Sequence, residues 1–253
     1  MKLKDKTIVI SGGTKGIGRR LVEEILLEGA NVVIGGRDRE SIKTIIQSAN
    51  RDKHRALFVH TELEIIADCK KLFDRAEEAF GKIDGFVNYA GVTPVASLTS
   101  CDELTYDHIM NINIKAAFFC CQYAINLMKR NHGGSIILVG SAHSWSGEKD
   151  RAPYAISKGA LYTLSEHIAH NYASEKIRCN FITMGWTATD GELQLRMEQG
   201  ITREMLEKEA SEAIPMGRLL TYNDQIPGFI YLLSDDSSMM TGANLRITGG
   251  QYI

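Results

Sequence analysis

Tyr154 and Lys158 stand four residues apart in Tyr154-Ala155-Ile156-Ser157-Lys158, and thirteen residues before the tyrosine Ser141 ends an apolar run. Pro153 just ahead suits the first turn of a helix, which would put both side chains on one face with Cβ atoms about 6 Å apart. A free phenol has a pKa of about 10, too high for easy proton exchange near neutrality, and a neighbouring ammonium favours the phenolate. Lowering it by two units takes about 3 kcal/mol, within reach of one charge in a partly dry site. Such a pair can pass a proton to or from a carbonyl or alcohol oxygen. The same spacing also describes an amphipathic helix with the tyrosine packed and the lysine solvated, so its neighbours decide its meaning.

The elements that would position the pair begin at TIVISGGTKGIG, residues 7–18. Thr7 to Ile10 is a β-branched run suited to a buried parallel strand, and Ser11-Gly12-Gly13 ends it. Leu21, Val22, Ile25 and Leu26 then recur at helical spacing, with Gly29 closing the element. Strand, glycine turn and helix in that order aim free N–H groups and the positive end of a helix dipole at whatever lies above the strand, as a pyrophosphate requires. The spacing Gly12-x-x-x-Gly16-x-Gly18 differs from the general G-x-G-x-x-G fingerprint and by itself also fits any tight βα turn.

Asn31 to Ile34 reads as a second strand, followed by Gly35-Gly36-Arg37-Asp38. A dinucleotide fold holds a ribose 2′-OH with an acidic residue about 20 positions past the glycines, whereas arginine suits a 2′-phosphate. Gly36 occupies the place of the acid and Arg37 follows, with Lys15 in the first turn as a second cation. This favours NADP(H) over NAD(H). Asp38 fits the cap of the next helix.

Ala56 to Val59, Ile83 to Val87, Ser135 to Val139 and Ile177 to Ile182 supply further strands, with helical patterns over Ile65 to Phe80 and Asp102 to Asn131. Alternation of strand and helix predicts an α/β fold with a parallel sheet covered on both faces. At 253 residues one domain spanning 1–253 is expected. Against 29 basic residues stand 31 acidic ones, a net charge of -2, which leaves no broad patch for nucleic acid or an anionic membrane. Cysteines at 69, 101, 120, 121 and 179 form neither C-x-x-C pairs nor a disulfide frame, which points to reduced thiols and a cytoplasmic setting. No apolar segment reaches the roughly 18 residues of a membrane span. His167 and His170 share a helix face without nearby ligands in a metal-binding pattern, so no metal is expected.

Taken together, SGGTKGIG, the Asn88-Tyr89-Ala90-Gly91 after the fourth strand, Ser141 and Tyr154-x-x-x-Lys158 resemble the short-chain dehydrogenase/reductase family over nearly the whole chain. The resemblance implies a Rossmann-like doubly wound sheet of about seven strands and a catalytic set of Asn113, Ser141, Tyr154 and Lys158. Tyr154 would exchange the proton while nicotinamide gives or receives hydride. Lys158 would lower the tyrosine pKa and hold the nicotinamide ribose. Ser141 would hydrogen-bond the reacting oxygen, and Asn113 would hold a helix kink and a proton-relaying water. Cofactor contacts would come from Gly12, Thr14, Lys15, Gly16, Ile17 and Gly18 in the turn, and from Arg37, Glu62 and Leu63 toward the adenosine end. Asn88, Ala90, Gly91, Gly185, Thr187 and Thr189, together with Tyr154 and Lys158, would complete the set. The chain departs from the family at Tyr89 for the second asparagine of NNAG, Met184 for the proline of Pro-Gly, Glu62 for an aspartate, and ITGG for aspartate-glycine-glycine.

Asp190 to Pro215 breaks the rhythm and by resemblance belongs to a substrate lid at about 186–216. Met197, Met205 and Met216, with Val92, His143, Trp145 and Trp186, could enclose an apolar pocket or simply pack the lid. A hydroxysteroid or other bulky secondary alcohol, a polyol or sugar, and a 3-oxoacyl thioester all stay open as substrates. Reduction of an acyl group on its carrier protein would use a basic patch beside the entrance, with Lys129, Arg130, Lys176 and Arg178 as candidates. A noncatalytic NADP(H)-binding sensor is the alternative from another class. The resemblance also implies a homotetramer, or a homodimer, packed through residues 113–130 and 153–172.

Overall fold

A computed structural model describes residues 1–145 and 148–251, with backbone alone at 51–53. The strands are β1 (Thr7–Ser11), β2 (Asn31–Gly36), β3 (Ala56–His60), β4 (Gly85–Asn88), β5 (Gly134–Ser141), β6 (Ile177–Met184) and β7 (Asn244–Ile247). They form one sheet in the order β3-β2-β1-β4-β5-β6-β7, parallel at every pairing. Leaving β1 the chain first builds toward β3, then crosses back to β4 and builds the other way. The carboxyl ends of β1 and β4 therefore flank the crevice where the direction reverses, the place where such sheets bind ligands.

The helices are α1 (Gly16–Leu27), α2 (Lys43–Lys53), α3 (Ile66–Phe80), α4 (Glu103–Met110), α5 (Ala116–Arg130), α6 (Ala152–Tyr172), α7 (Asp190–Glu198), α8 (Arg203–Ala213) and α9 (Tyr222–Leu233). Side chains alternate across each strand, so the sheet has two cores. Val9, Val33, Phe86, Ile136 and Phe181 pack with α3, α5 and α6 on one face. Ile8, Ile10, Ile34, Ile137 and Ile182 pack with α1 and α9 on the other.

Several boundaries differ from the sequence reading. The fourth strand begins at Gly85 rather than Ile83, because Asp84 turns its carboxylate back to accept the Thr7 N–H at 2.7 Å. The helical region from Asp102 to Asn131 is interrupted by a π-helical turn over Asn111–Lys115. Asp190 to Pro215, which reads as irregular, holds α7 and α8, each opened by a threonine, Thr189 and Thr202, whose hydroxyl caps a first-turn N–H. Leu206, Ala210 and Ile214 of this segment form a third, smaller core with Leu219 and Leu220.

Candidate active site

Backbone conformation makes the glycine turn. Gly12 and Gly16 have φ of +80° and +52°, which side chains other than glycine rarely adopt. A Cβ on Gly12 would come within 2.8 Å of the Ala90 backbone, and one on Gly18 would strike the Gly12 carbonyl. Gly16 opens α1 facing empty space, and no acidic residue or side-chain cap occupies the helix start. The turn is thus a cradle with unspent N–H groups, which fits a dinucleotide pyrophosphate.

A cavity of about 290 Å³ runs from this turn toward β2 and β3. Gly12, Thr14, Lys15, Arg37, Glu62, Leu63, Ala90 and Gly91 all line it. Arg37 is exposed there, while Lys15 lies 3.4 Å from the Asp38 carboxylate. Asp38 also caps the turn ahead of α2 by accepting the Ser41 N–H.

A second cavity, of about 490 Å³, meets the first at Tyr89, Gly91 and Val92. Ile17, Ser141, Tyr154, Lys158, Gly185, Thr187 and Thr189 line it. Gly140 before the serine must be glycine, since a Cβ there would strike the buried Phe181 ring. Ser141 ends β5 and accepts the His143 N–H at 3.2 Å, so a short 3₁₀ turn fixes its side chain. Its hydroxyl shares this cavity with the Tyr154 side chain.

Two expected contacts stand behind the cavities rather than in them. Asn88 is buried with its Oδ1 accepting the Ser11 hydroxyl and its Nδ2 lacking a partner among the described residues. Asn113 is fully buried in the π turn, where its Oδ1 accepts the Val92 N–H and its Nδ2 donates to Val92 O and Ser157 Oγ. Gly91 leaves room at this junction: a Cβ would sit 3.2 Å from Lys158 Nζ and 3.3 Å from Asn113 Oδ1.

Burial dominates the electrostatics of the tyrosine and the lysine. Burial pushes the Tyr154 phenol up from its ordinary value, opposed by the neighbouring Ser141 hydroxyl and by the positive charge of Arg151. Lys158 stands deep beside it. The lysine is 3 % exposed, donates to Val139 O at 2.9 Å, and places Nζ 5.7 Å from the centre of the tyrosine ring. Burial lowers the Lys158 pKa to about 8, so the ammonium itself is easily lost.

Arg151 is the site residue that the sequence reading missed. It lines the second cavity one turn before Tyr154, a position that a charged residue just ahead of Pro153 could have signalled. Gln225 of α9 was also missed. It is buried, donates to Thr187 Oγ1 at 3.1 Å, and lies 38 residues away in sequence with no motif to flag it.

The proposed apolar pocket is not what the cleft contains. Val92, His143 and Trp186 line it, whereas Met197, Met205 and Met216 point to solvent at 71, 55 and 77 % exposure and Trp145 stacks with Tyr162 outside it. Glu148, Arg151, Glu192, Arg196 and Glu209 give the cleft a charged lining instead. The basic residues considered for carrier-protein docking lie elsewhere too. Arg130 ends α5, Lys176 and Arg178 flank the start of β6, and Lys129 is paired with Glu175, all at the amino ends of the strands, opposite the cleft.

Comparison with known proteins agrees with this geometry. The family model described as Enoyl-(Acyl carrier protein) reductase matches residues 12–251. The L-rhamnose 1-dehydrogenase (NAD(P)(+)) of Azotobacter vinelandii is 32 % identical over 258 residues, covering 100 % of this chain and 99 % of its own. A 3alpha-hydroxysteroid dehydrogenase of Mediterraneibacter gnavus is 29 % identical over 251 residues, covering 98 % of each chain. A solved short chain dehydrogenase/reductase family protein matches with a TM-score of 0.87 and 26 % identity over 100 % of this chain and 99 % of that one. No described helix is long and apolar enough to cross a membrane. With a glycine cradle, a serine, tyrosine and lysine around one cleft, and matches over nearly its full length, the chain belongs to the short-chain dehydrogenase/reductase family and is an NAD(P)-dependent oxidoreductase acting on CH–OH groups.

Proposed function

We propose that the protein interconverts a polar secondary alcohol and its ketone with NADP(H), Tyr154 exchanging the proton at the substrate oxygen. The observation that carries this reading is the convergence of Ser141 and Tyr154 on one cavity that opens onto the glycine cradle, with Lys158 buried behind them. When bound, nicotinamide supplies or accepts the two electrons and one hydrogen of the interconversion. Ser141 holds the reacting oxygen beside the phenol and stabilises charge that develops on it. Lys158 refills or drains the tyrosine proton and holds a ribose hydroxyl, and Asn113 acts by positioning, because Ser157, to which it donates, in turn donates to the Tyr154 carbonyl.

Preference for NADP(H) is supported by Arg37, exposed on the first cavity with no ion pair among the described residues, and by the absorption of the Asp38 charge by Lys15 and the Ser41 N–H. A polar substrate is supported by the charged lining. The sugar dehydrogenase activity in the name of the Azotobacter relative is in keeping with that lining. We assign α7 and α8 as the lid and the site of work as the cytoplasm, in keeping with five thiols, four of them buried. Assembly as a homotetramer or homodimer is supported by exposed Leu104 and Phe118 on α4 and α5.

A panel of alcohols and ketones followed by nicotinamide absorbance, with both cofactors, tests the reading. Native enzyme should turn over polar ketones with NADPH, and Tyr154→Phe should bind NADPH unchanged while losing about 10³-fold in kcat. NADPH binding with no turnover across the panel would overturn it in favour of a noncatalytic sensor.

A further inference from the structure

The cleft holds two arginines in different circumstances. Arg196 is answered on every side: its Nε lies 2.9 Å from Glu192 Oε1, Glu209 is 4.0 Å from its Nη1, and the guanidinium rests 5.1 Å from the Trp186 ring centre. Arg151 is not. Its Nη1 donates to Thr93 O at 2.9 Å, and its nearest carboxylate, Asp150, is 3.9 Å from Nε, beyond hydrogen-bonding distance. No other acceptor for its remaining donors is found among the described residues.

This cation is also fixed and recessed. Its side chain is 25 % exposed, and its backbone is pinned where Ala96 N donates to Asp150 O and Ala152 N to Ala96 O. Glu148, which also faces the cleft, sits on the exposed rim. The 21-residue α6 starts beside Arg151 with no acidic residue in its first turn, so the helix dipole adds to the positive field. Arg151 lines the same cavity as Ser141 and Tyr154, three residues ahead of the tyrosine, and its charge acts on the phenol. A flat guanidinium with spare donors matches the two oxygens of a carboxylate.

We propose that Arg151 is a specificity-determining residue that anchors a carboxylate, so that the substrate is an oxo acid or its hydroxy acid with the reacting carbon between Ser141 and Tyr154. The proposal deepens the oxidoreductase reading and rests on it. Reduction gives the carbonyl two electrons and one hydrogen from the reduced nicotinamide and one proton through Tyr154, and the carboxylate is unchanged.

The test compares linear oxo acids, from acetoacetate to 6-oxoheptanoate, with their methyl esters as substrates of the NADPH-loaded enzyme. For the acid of matching length, kcat/KM should exceed that of its ester by about 30-fold, the size expected of a hydrogen-bonded charge pair. In Arg151→Gln that ratio should fall to near one, mainly through KM of the acid, while Lys149→Gln, on an exposed neighbour outside the cleft, should keep it. Circular dichroism and NADPH binding verify that each variant is folded. Esters equal to acids at every length, or a ratio that survives Arg151→Gln, would overturn the anchor while leaving the redox reading intact. If no carbonyl in either form turns over, the redox reading fails, and the anchor is judged by titrating glutarate into the NADP+-loaded protein. Its Kd should rise about 30-fold in Arg151→Gln, and equal binding would overturn the proposal.

Discussion

Asn113 pairs with the backbone of Val92 as a neighbouring strand would, its Oδ1 accepting the Val92 N–H at 2.8 Å and its Nδ2 donating to the Val92 carbonyl at 2.9 Å. The same Nδ2 donates to Ser157 Oγ at 3.0 Å, and that hydroxyl donates to the Tyr154 carbonyl at 2.7 Å. One amide therefore ties the loop after β4 to the first turn of α6. The π turn over Asn111–Lys115 carries it to that junction. Such one-turn bulges commonly aim a side chain at a functional site.

Asn113→Asp keeps the shape and removes both donors. A carboxylate would then face the Val92 carbonyl and the Ser157 oxygen in a fully buried position, where an unpaired charge costs several kcal/mol. The expected result is a loss of about 3 kcal/mol in urea unfolding at pH 7, partly recovered at pH 5 as the carboxyl protonates, with kcat falling more than KM rises. Native-like unfolding at both pH values would show that the amide does not hold this junction.

Lys158→Met should stabilise the protein while removing activity. Burial holds the lysine at about 8, below its ordinary 10.5. Between those values the unfolded chain binds the proton more readily, so native stability rises with pH across about 8 to 10.5, and below 8 the cost of the buried charge is present in full. That cost is about 3 kcal/mol, offset by about 1 kcal/mol for the donor lost to the Val139 carbonyl. The variant should therefore unfold at higher urea at pH 7, and its advantage should shrink toward pH 10. An advantage independent of pH would mean that the lysine is not the titrating group.

How much of this was legible beforehand follows from what each feature depends on. The glycine turn and the alternation of strand and helix could be read because strand periodicity and glycine chemistry are local. Gly12, Thr14, Lys15, Arg37 and Gly91 come together on one cavity for that reason. The partner of Asn113 lies 21 residues away, and the π turn that aims the amide has no sequence signature. The sign of the shift at Tyr154 was not legible either, because the lysine acts through its direction and depth, and its ammonium is directed at Val139 O. Methionines in the lid region suggested an apolar pocket, yet α7 and α8 turn Glu192, Arg196 and Glu209 toward the cleft and Met197 and Met205 to solvent.

Arg37→Asp should move cofactor preference toward NAD(H). Arg37 is exposed on the first cavity beside Thr14, and an aspartate there would repel a 2′-phosphate while accepting a hydrogen bond from a 2′-OH. A swing of about 10²-fold in the ratio of kcat/KM values for NADPH and NADH is expected, mostly through KM. Unfolding curves should be unchanged because the residue is exposed. An unmoved ratio would return the phosphate contact to Lys15 or remove it altogether.

Gln225 and Thr187 make the last case, one in which a residue outside the cleft sets its rigidity. Gln225 donates to Thr187 Oγ1 at 3.1 Å and to the Ile247 carbonyl at 3.3 Å, while its own Oε1 is buried without a partner among the described residues. Thr187 in turn donates to the Gly185 carbonyl, in the loop where Met184 stands in place of a φ-restricting proline. Replacing the amide by leucine removes an unsatisfied acceptor and two modest hydrogen bonds, so global stability should change by less than about 1 kcal/mol. The loop, however, loses its tether to α9. In Gln225→Leu the Kd for NADPH, read by fluorescence, should rise about 5-fold, and Gln225→Glu, with no donors, should show the same rise with a larger loss of stability. Native affinity in both variants would mean that the loop is held by its strand pairing alone.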